Sequence, residues 1–265
     1  MQDPLAWKDP IWNDPDGGSV LLHGTIPTVV YPRSLRPRDT WHALGIIGND
    51  DEEEAWRFED ESEKKSPGIN LSEALLGGGL TNLYLERLCL LEDIKGGRFP
   101  DPEPWRLLRL AEKHGRPLFH LEPSFDDEEW VEHLGEEADA VTRWKVLIKV
   151  LRQGGTFRKQ LKSAKKATSP PPSGAAELQL ASALAAVWWW MQEERLTEEV
   201  SAVRDTRIAA RIRGAIAQMR RQSGDESLLM VPILQVRRAD ILKILEQGVE
   251  PEIAKTPSPS ELEEE

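Results

Sequence analysis

Three side chains capable of acid–base chemistry fall on or beside predicted strands. His120 and Glu122 lie at the end of the apolar segment 117–121, the place where open α/β sheets usually carry their active-site groups. His23 lies on the first predicted strand. If the two strands are neighbours, the three side chains can converge as an acid, a base or metal ligands. The alternative is that each histidine is a partly buried strand residue whose ring is satisfied by the backbone.

The spacing of the other reactive residues excludes several common sites. None of the five histidines forms a metal-binding pair on a helix, and Cys89 is the only cysteine, so neither a zinc site nor a disulfide framework is predicted. The chain has no nucleotide-binding glycine motif and no nucleophile elbow. The run Gly77-Gly78-Gly79 is interpreted as a break between two helical pieces. We therefore expect no metal and no cofactor.

Basic residues concentrate in two segments that could meet an anionic partner. Residues 143–166 hold nine basic residues and no acidic one, and residues 204–221 form a predicted helix whose opposite side is apolar. Arginine forks suit phosphate oxygens, and Trp144 and Phe157 could stack on bases. The candidate contacts are Arg143, Lys145, Lys149, Arg152, Arg158, Lys159, Lys162, Arg204, Arg207, Arg211 and Arg213.

The distribution of charge leaves other roles open for these segments. The net charge is −12, but residues 1–140 carry −16, residues 141–221 carry +10 and residues 222–265 carry −6. The basic part could therefore neutralise the acidic part within the chain or between subunits. A basic amphipathic helix could also meet an acidic protein or a membrane surface.

The triplet Trp188-Trp189-Trp190 is the strongest sign of assembly in the sequence. Consecutive helical residues point about 100° apart, so the three rings cannot all enter one core stripe. We expect at least one to lie at an interface with a protein partner or a second copy, where tryptophan is enriched. The alternative is a helix surrounded on all sides by its own chain.

The helices and strands predicted to position these residues indicate a helix-rich α/β fold with a small sheet. Its strands are expected near 19–31, 117–121 and 228–236, with Pro232 requiring an edge or a bulge in the last one. The acidic segment 49–68 lacks periodicity and is interpreted as a solvated loop.

The Pro-rich segment 164–176 is the clearest candidate for a linker, although it could equally be a surface loop. The sheet is expected to join the two ends of the chain across it, in one discontinuous domain. The predicted parts are an acidic α/β part at 1–163, the linker or loop at 164–176, a helical part with one strand at 177–250 and a disordered tail at 251–265.

In its order of elements the chain resembles the TraB/pheromone-shutdown proteins over about half its length. The matching pieces are Leu22-His23-Gly24-Thr25, the strand that ends in Glu122, and Arg204-Asp205 at the start of a helix before strand 228–236. The family pattern has a histidine soon after the Gly-Thr pair and another after the last strand, where this chain has Ile26-Pro27 and Arg237-Arg238. The resemblance implies a hydrolase site that would be degenerate at both positions.

The leading functional hypothesis is a non-catalytic binding or assembly component. Its basic segments 143–166 and 204–221 would contact an anionic partner, either nucleic acid or an acidic protein surface. The alternative is a hydrolase that uses His120 and Glu122 with His23. The longest apolar run, 180–191, is shorter than the roughly 20 residues that a membrane span needs, and the N-terminus lacks a signal-peptide pattern. We therefore expect a cytoplasmic protein without a transmembrane segment.

Overall fold

A computed structural model describes residues 5–144, 146, 153–172 and 174–254. The strands are β1 (Ile11–Asn13), β2 (Ser19–Thr25), β3 (Ala43–Ile46), β4 (Leu118–His120) and β5 (Leu228–Leu234). The helices are α1 (Asp50–Lys65), α2 (Ile69–Leu76), α3 (Gly79–Leu88), α4 (Pro102–Lys113), α5 (Glu128–Thr142), α6 (Gln153–Ala167), α7 (Ala176–Glu193), α8 (Glu198–Ser223) and α9 (Arg238–Glu246). This content confirms the prediction of a helix-rich α/β fold.

The five strands form one mixed sheet in the order β1-β2-β5-β3-β4, in which only β1 runs antiparallel to its neighbour. The last strand in the chain therefore lies in the centre, paired with β2 from Ser19↔Leu228 to Thr25↔Leu234. Pro232 does not lie on an edge strand. It is tolerated because β3 pairs with β5 only at Leu229 and Met230, so the missing N–H of Pro232 breaks no ladder bond on that side.

Helices cover both faces of the sheet. On one face α8 and α9 pack against Leu22 of β2 and Val231 of β5. On the other, α1 and α4 pack against Ile46 of β3 and Met230 of β5. A separate apolar cluster, built from α3, α6, α7 and the segment that follows β2, completes the core. A parallel sheet covered on both faces places its functional groups at the carboxyl ends of its strands.

The prediction of a solvated loop at 49–68 was wrong, because this segment forms α1. The side chain of Asn49 caps the helix by accepting the Glu52 backbone N–H, and the first turn holds four acidic residues. Lys64 and Lys65 lie in the last turn. Acidic residues at the start and basic residues at the end both complement the helix dipole, so the charge pattern that suggested a loop stabilises a helix.

The beginning of the C-terminal segment packs against the fold. The Glu252 N–H donates to the carbonyl of Ala210 at 2.9 Å, and Ala254 is buried in the cluster beneath α8 and α9. Residues 255–265, where most of the predicted disordered tail falls, lie outside the described residues. Within the described ranges, no helix combines the length and apolar character that a membrane span requires.

Candidate functional site

Helix α6 presents an exposed basic face. Phe157 and Ala164 are buried against the core and Leu161 packs beside them, which turns the opposite side of the helix to solvent. That side holds five exposed basic residues and α6 contains no acidic residue. They are Arg158, Lys159, Lys162, Lys165 and Lys166. At 100° per residue the five fall within an arc of about 120°, over a length of about 12 Å.

We call these five residues the basic face of α6. None of the five makes an ion pair with any of the residues that the structure describes. Two other residues of the predicted segment 143–166 are exposed, namely Arg143 and Trp144, and Trp144 is 74% exposed. The other predicted contacts in this segment, Lys145, Lys149 and Arg152, lie outside the described residues. This face is an electropositive surface on a protein with a net charge of −12.

The second basic segment is placed differently, because its arginines point into the fold. Arg204 is buried and its guanidinium donates to Glu193 and Asp205, in each case at 3.0 Å. Arg207 pairs with Asp127 and with Glu252. These carboxylates neutralise the arginines within the chain, which corresponds to the internal-pairing alternative.

Arg211 and Arg213 are held in the same way. Arg211 is 4% exposed and donates to Glu252 at 3.1 Å and to the backbone carbonyl of His120 at 3.0 Å. Arg213 donates to both carboxylate oxygens of Asp14 at 3.3 Å. Because these side chains bridge α8 to distant segments, the structure uses them as structural crosslinks. Their partners lie up to 199 residues away, so no local pattern could have identified them.

The two candidate catalytic histidines lie at different places along the carboxyl edge of the sheet. His23 is on β2 and His120 is on β4, and two strands separate them, which corresponds to roughly 14 Å. His120 contacts Glu53 at 3.2 Å. The structure therefore does not bring His23 together with His120 and Glu122, because β2 and β4 are not neighbours in the sheet.

His23 is buried between two carboxylates. Its Nδ1 lies 2.6 Å from Asp9 Oδ2 and its Nε2 lies 3.2 Å from Glu103 Oε1. Burial disfavours the charged ring, but the hydrogen bonds and charges of Asp9 and Glu103 outweigh this effect and raise the pKa of His23. Because an ionised carboxylate only accepts hydrogen bonds, the two contacts favour the doubly protonated ring.

Glu122 follows β4 and faces a polar cluster that the sequence did not reveal. Its carboxylate accepts no hydrogen bond from any described residue, and burial raises its pKa although Arg237 and Arg204 lower it. Arg237 pairs with Asp205 at 2.7 Å and, like Arg204, lies over the ring of Trp189. A carboxyl with a raised pKa beside two arginines is chemically suited to hold and release a proton.

The tryptophan triplet makes contacts within its own chain. Trp188 packs on Tyr84, with ring centroids 5.8 Å apart, and Trp189 stacks with Arg204 and Arg237. Trp190 packs against the helical cluster and against the cluster around Leu5. All three rings retain partial exposure. The contacts described here are all within the chain, and the expectation that one of the rings meets a partner stays a prediction.

Across the described residues, no group of three or more His, Cys, Asp or Glu side chains is arranged to hold a metal ion. Comparisons with protein-family models and with curated protein sequences find no match to this chain.

Proposed function

We propose that this protein is a non-catalytic binding component that contacts a polyanionic partner through the basic face of α6. The observation that carries the proposal is the set of five exposed basic residues on one helix face without an ion-pair partner among the described residues. Long-range attraction brings an anion to such a surface, and the arginine and lysine donors then bind its oxygens. A cytoplasmic location is part of the same proposal.

The contrast with α8 supports this choice of surface. The arginines of α8 are committed to Glu193, Asp127, Glu252 and Asp14, so a partner would have to break buried ion pairs to reach them. The basic face of α6 requires no such rearrangement. We include Arg143 and the exposed ring of Trp144 in the proposed contact surface, because they belong to the same basic segment, 143–166.

The packing of α6 favours an electrostatic contact over membrane insertion. A helix that lies in a membrane interface must offer its apolar face to lipid, but here Phe157 and Ala164 are buried in the protein core. The partner is therefore a nucleic acid backbone or an acidic protein surface, and both use the same charge complementarity. Salt dependence separates them, since release of counterions from a nucleic acid gives a steep linear slope.

The experiment measures binding of labelled single-stranded RNA, duplex DNA and poly-glutamate by fluorescence anisotropy. The double variant Lys162→Glu/Lys166→Glu reverses two charges one helical turn apart. We expect at least a 10-fold loss of affinity for the bound polyanion. For five contacts, the slope of log K against log salt should be about −3.5 for a single strand and about −4.5 for a duplex.

The matched control is Lys64→Glu/Lys65→Glu, which reverses two exposed lysines at the end of α1 that already pair with Asp60 and Glu61. It produces the same change in net charge at a different place. Equal loss of affinity in both double variants would show a non-specific effect of net charge. Unchanged affinity of the α6 variant for all three probes would contradict the proposal.

The second candidate function is a hydrolase, and the state of Glu122 is the observation that favours it. A buried carboxyl with a raised pKa can donate a proton to a leaving group. The test is turnover of p-nitrophenyl acetate and p-nitrophenyl phosphate by the wild type, by Glu122→Gln and by the surface control Glu129→Gln. Activity should vanish only in Glu122→Gln. Full activity in that variant would exclude Glu122 as the acid.

A further inference from the structure

The segment before β1 lies across the carboxyl ends of β2 and β5. We call residues 5–10 the strap. Leu5 is fully buried beside Val236 and Ala186, and the side chain of Gln235 donates to the carbonyls of Leu5 and Ala6 at 3.1 and 2.9 Å. The strap is irregular chain, with a turn and bends, that belongs neither to the sheet nor to a helix. It covers the part of an open α/β sheet where small ligands usually bind.

The carboxylate of one strap residue, Asp9, is hydrogen-bonded in the way that the carboxylate of a bound ligand would be. Its Oδ2 lies 2.6 Å from Nδ1 of His23, and its Oδ1 accepts the backbone N–H of Gly24 at 2.9 Å and Nη1 of Arg238 at 2.6 Å. These three donors come from the end of β2 and the first residue of α9, and they converge on two oxygens. Convergent, charge-assisted donors of this kind are the usual means of carboxylate recognition.

The shape of this donor set depends on Gly24. A Cβ at that position would lie 2.6 Å from Cζ of Arg238, so only glycine lets the guanidinium approach the end of β2. A cavity of about 680 Å³ adjoins the same place, and its lining includes Asp9, Arg238, Trp12 and Leu242. Arg238 and the carboxylate that it binds therefore lie beside a space large enough for the remainder of a small molecule.

We propose that His23, Gly24 and Arg238 form a binding site for a small-molecule carboxylate, and that Asp9 is its built-in occupant. A ligand carboxylate would replace that of Asp9 and release the strap, while its remaining atoms enter the adjoining cavity. The neighbouring Glu103, 3.2 Å from His23 Nε2, adds negative charge behind the ring. With His23 protonated, Glu103 offsets one of the two positive charges of the site. A monoanionic carboxylate then balances the remaining charge, whereas a phosphate dianion would leave a net negative charge in a buried place, which is unfavourable.

The test removes the built-in carboxylate and offers a free one. The variant Asp9→Ala leaves the three donors in place, and its Tm is measured in sodium formate against sodium chloride at equal ionic strength. For a Kd of about 20 mM, 0.5 M formate should raise the Tm of the variant by about 4–8 °C. Acetate should act similarly, inorganic phosphate should act more weakly, and the wild type should show no difference between formate and chloride.

The matched control is Asp39→Ala, which removes a surface aspartate that also pairs with an arginine, Arg116. Formate should not stabilise this variant more than chloride. If Asp9→Ala folds and formate gives no advantage over chloride, the proposal is overturned. An equal advantage in Asp39→Ala would also overturn it, since the effect would then be general.

A second measurement on the wild type covers the case in which Asp9→Ala does not fold. Hydrogen–deuterium exchange of the strap peptide is followed with increasing formate at constant ionic strength. Faster exchange at residues 5–10, with protection of β2 and β5 unchanged, is expected if formate displaces Asp9. Exchange that is independent of formate up to about 1 M, a concentration well above the fragment-level Kd assumed above, would overturn the proposal.

Discussion

Replacement of Arg211 by alanine tests whether the arginines of α8 hold the fold together or serve a partner. Arg211 donates to Glu252 and to the backbone carbonyls of Ile253 and His120. In the variant, both carbonyls lose a charged donor. Glu252 keeps Arg207 as a partner and is 32% exposed, so its carboxylate remains solvated and paired.

The expected loss follows from these contacts. Removing one partner of a buried ion pair costs about 3–5 kcal/mol. The loss of stability in Arg211→Ala should lie at the lower end of this range, because Glu252 keeps its ion pair with Arg207. A loss of stability at the lower end of the range is also expected because the Nε of Arg211 has no hydrogen-bond partner among the described residues. We expect about 3 kcal/mol, or a Tm lower by about 6–12 °C for a chain of this size.

The assay is thermal and urea unfolding followed by circular dichroism, with Lys162→Ala as the control. Lys162 is exposed on α6, so its replacement should change stability by less than about 0.5 kcal/mol. Polyanion binding should show the opposite pattern, reduced in Lys162→Ala and unchanged in folded Arg211→Ala. A stable Arg211→Ala variant with impaired binding would refute the assignment of structural and binding roles.

Three further predictions concern individual side chains. Burial raises the pKa of Asp101 to about 7, above its ordinary value of 3.8. Its contribution to stability is therefore greatest near pH 4 and is lost as the pH rises to about 7. Asp101→Asn should leave stability unchanged at pH 4 and increase it by about 2 kcal/mol at pH 8 in urea unfolding. The full shift of about 3 pH units corresponds to about 4 kcal/mol, and the partial exposure of the residue reduces this value. Glu122→Gln should also stabilise the protein, and its gain in Tm should grow as the pH rises above 4.5. A gain in Tm that is independent of pH would contradict the raised pKa of Glu122. Gly214→Ala should destabilise the protein by at least about 2 kcal/mol and accelerate hydrogen exchange at residues 250–254, because the new Cβ would lie 1.6 Å from the carbonyl oxygen of Glu252; a stabilised variant would show that only helix propensity matters at this position.

The strands with strong apolar patterns could be predicted from the sequence, but β3 could not. Strands β2, β4 and β5 fall within the predicted segments near 19–31, 117–121 and 228–236. Strand β3 has only four residues and all are buried, so it lacks the alternation that marks a half-buried strand. Helix α1 was missed because its many charged residues hid the few apolar residues that it contains.

The concentration of basic residues on α6 could be read from the sequence, because those residues are close together in the chain. Their placement on one face of a helix could not, because part of this stretch was interpreted as a linker and the structure has α6 over Gln153–Ala167. The role of the α8 arginines could not, since ion pairs such as Arg213 with Asp14 join residues 199 positions apart. The same limit applies to Glu122, because Arg204 and Arg237, whose charges lower its pKa, come from two other parts of the chain. Charge along a sequence indicates which groups need partners, but only the tertiary fold decides which partners they have.

The central position of β5 has a consequence for synthesis of the protein. A nascent chain that has not reached Leu234 contains β2 and β3 but lacks the strand that lies between them. Each of these strands then has an open edge beside buried apolar residues such as Leu22 and Ile46, and such edges favour aggregation. Cotranslational folding of the sheet must therefore wait until β5 has been synthesised, and truncations before β5 should accumulate in inclusion bodies or on chaperones.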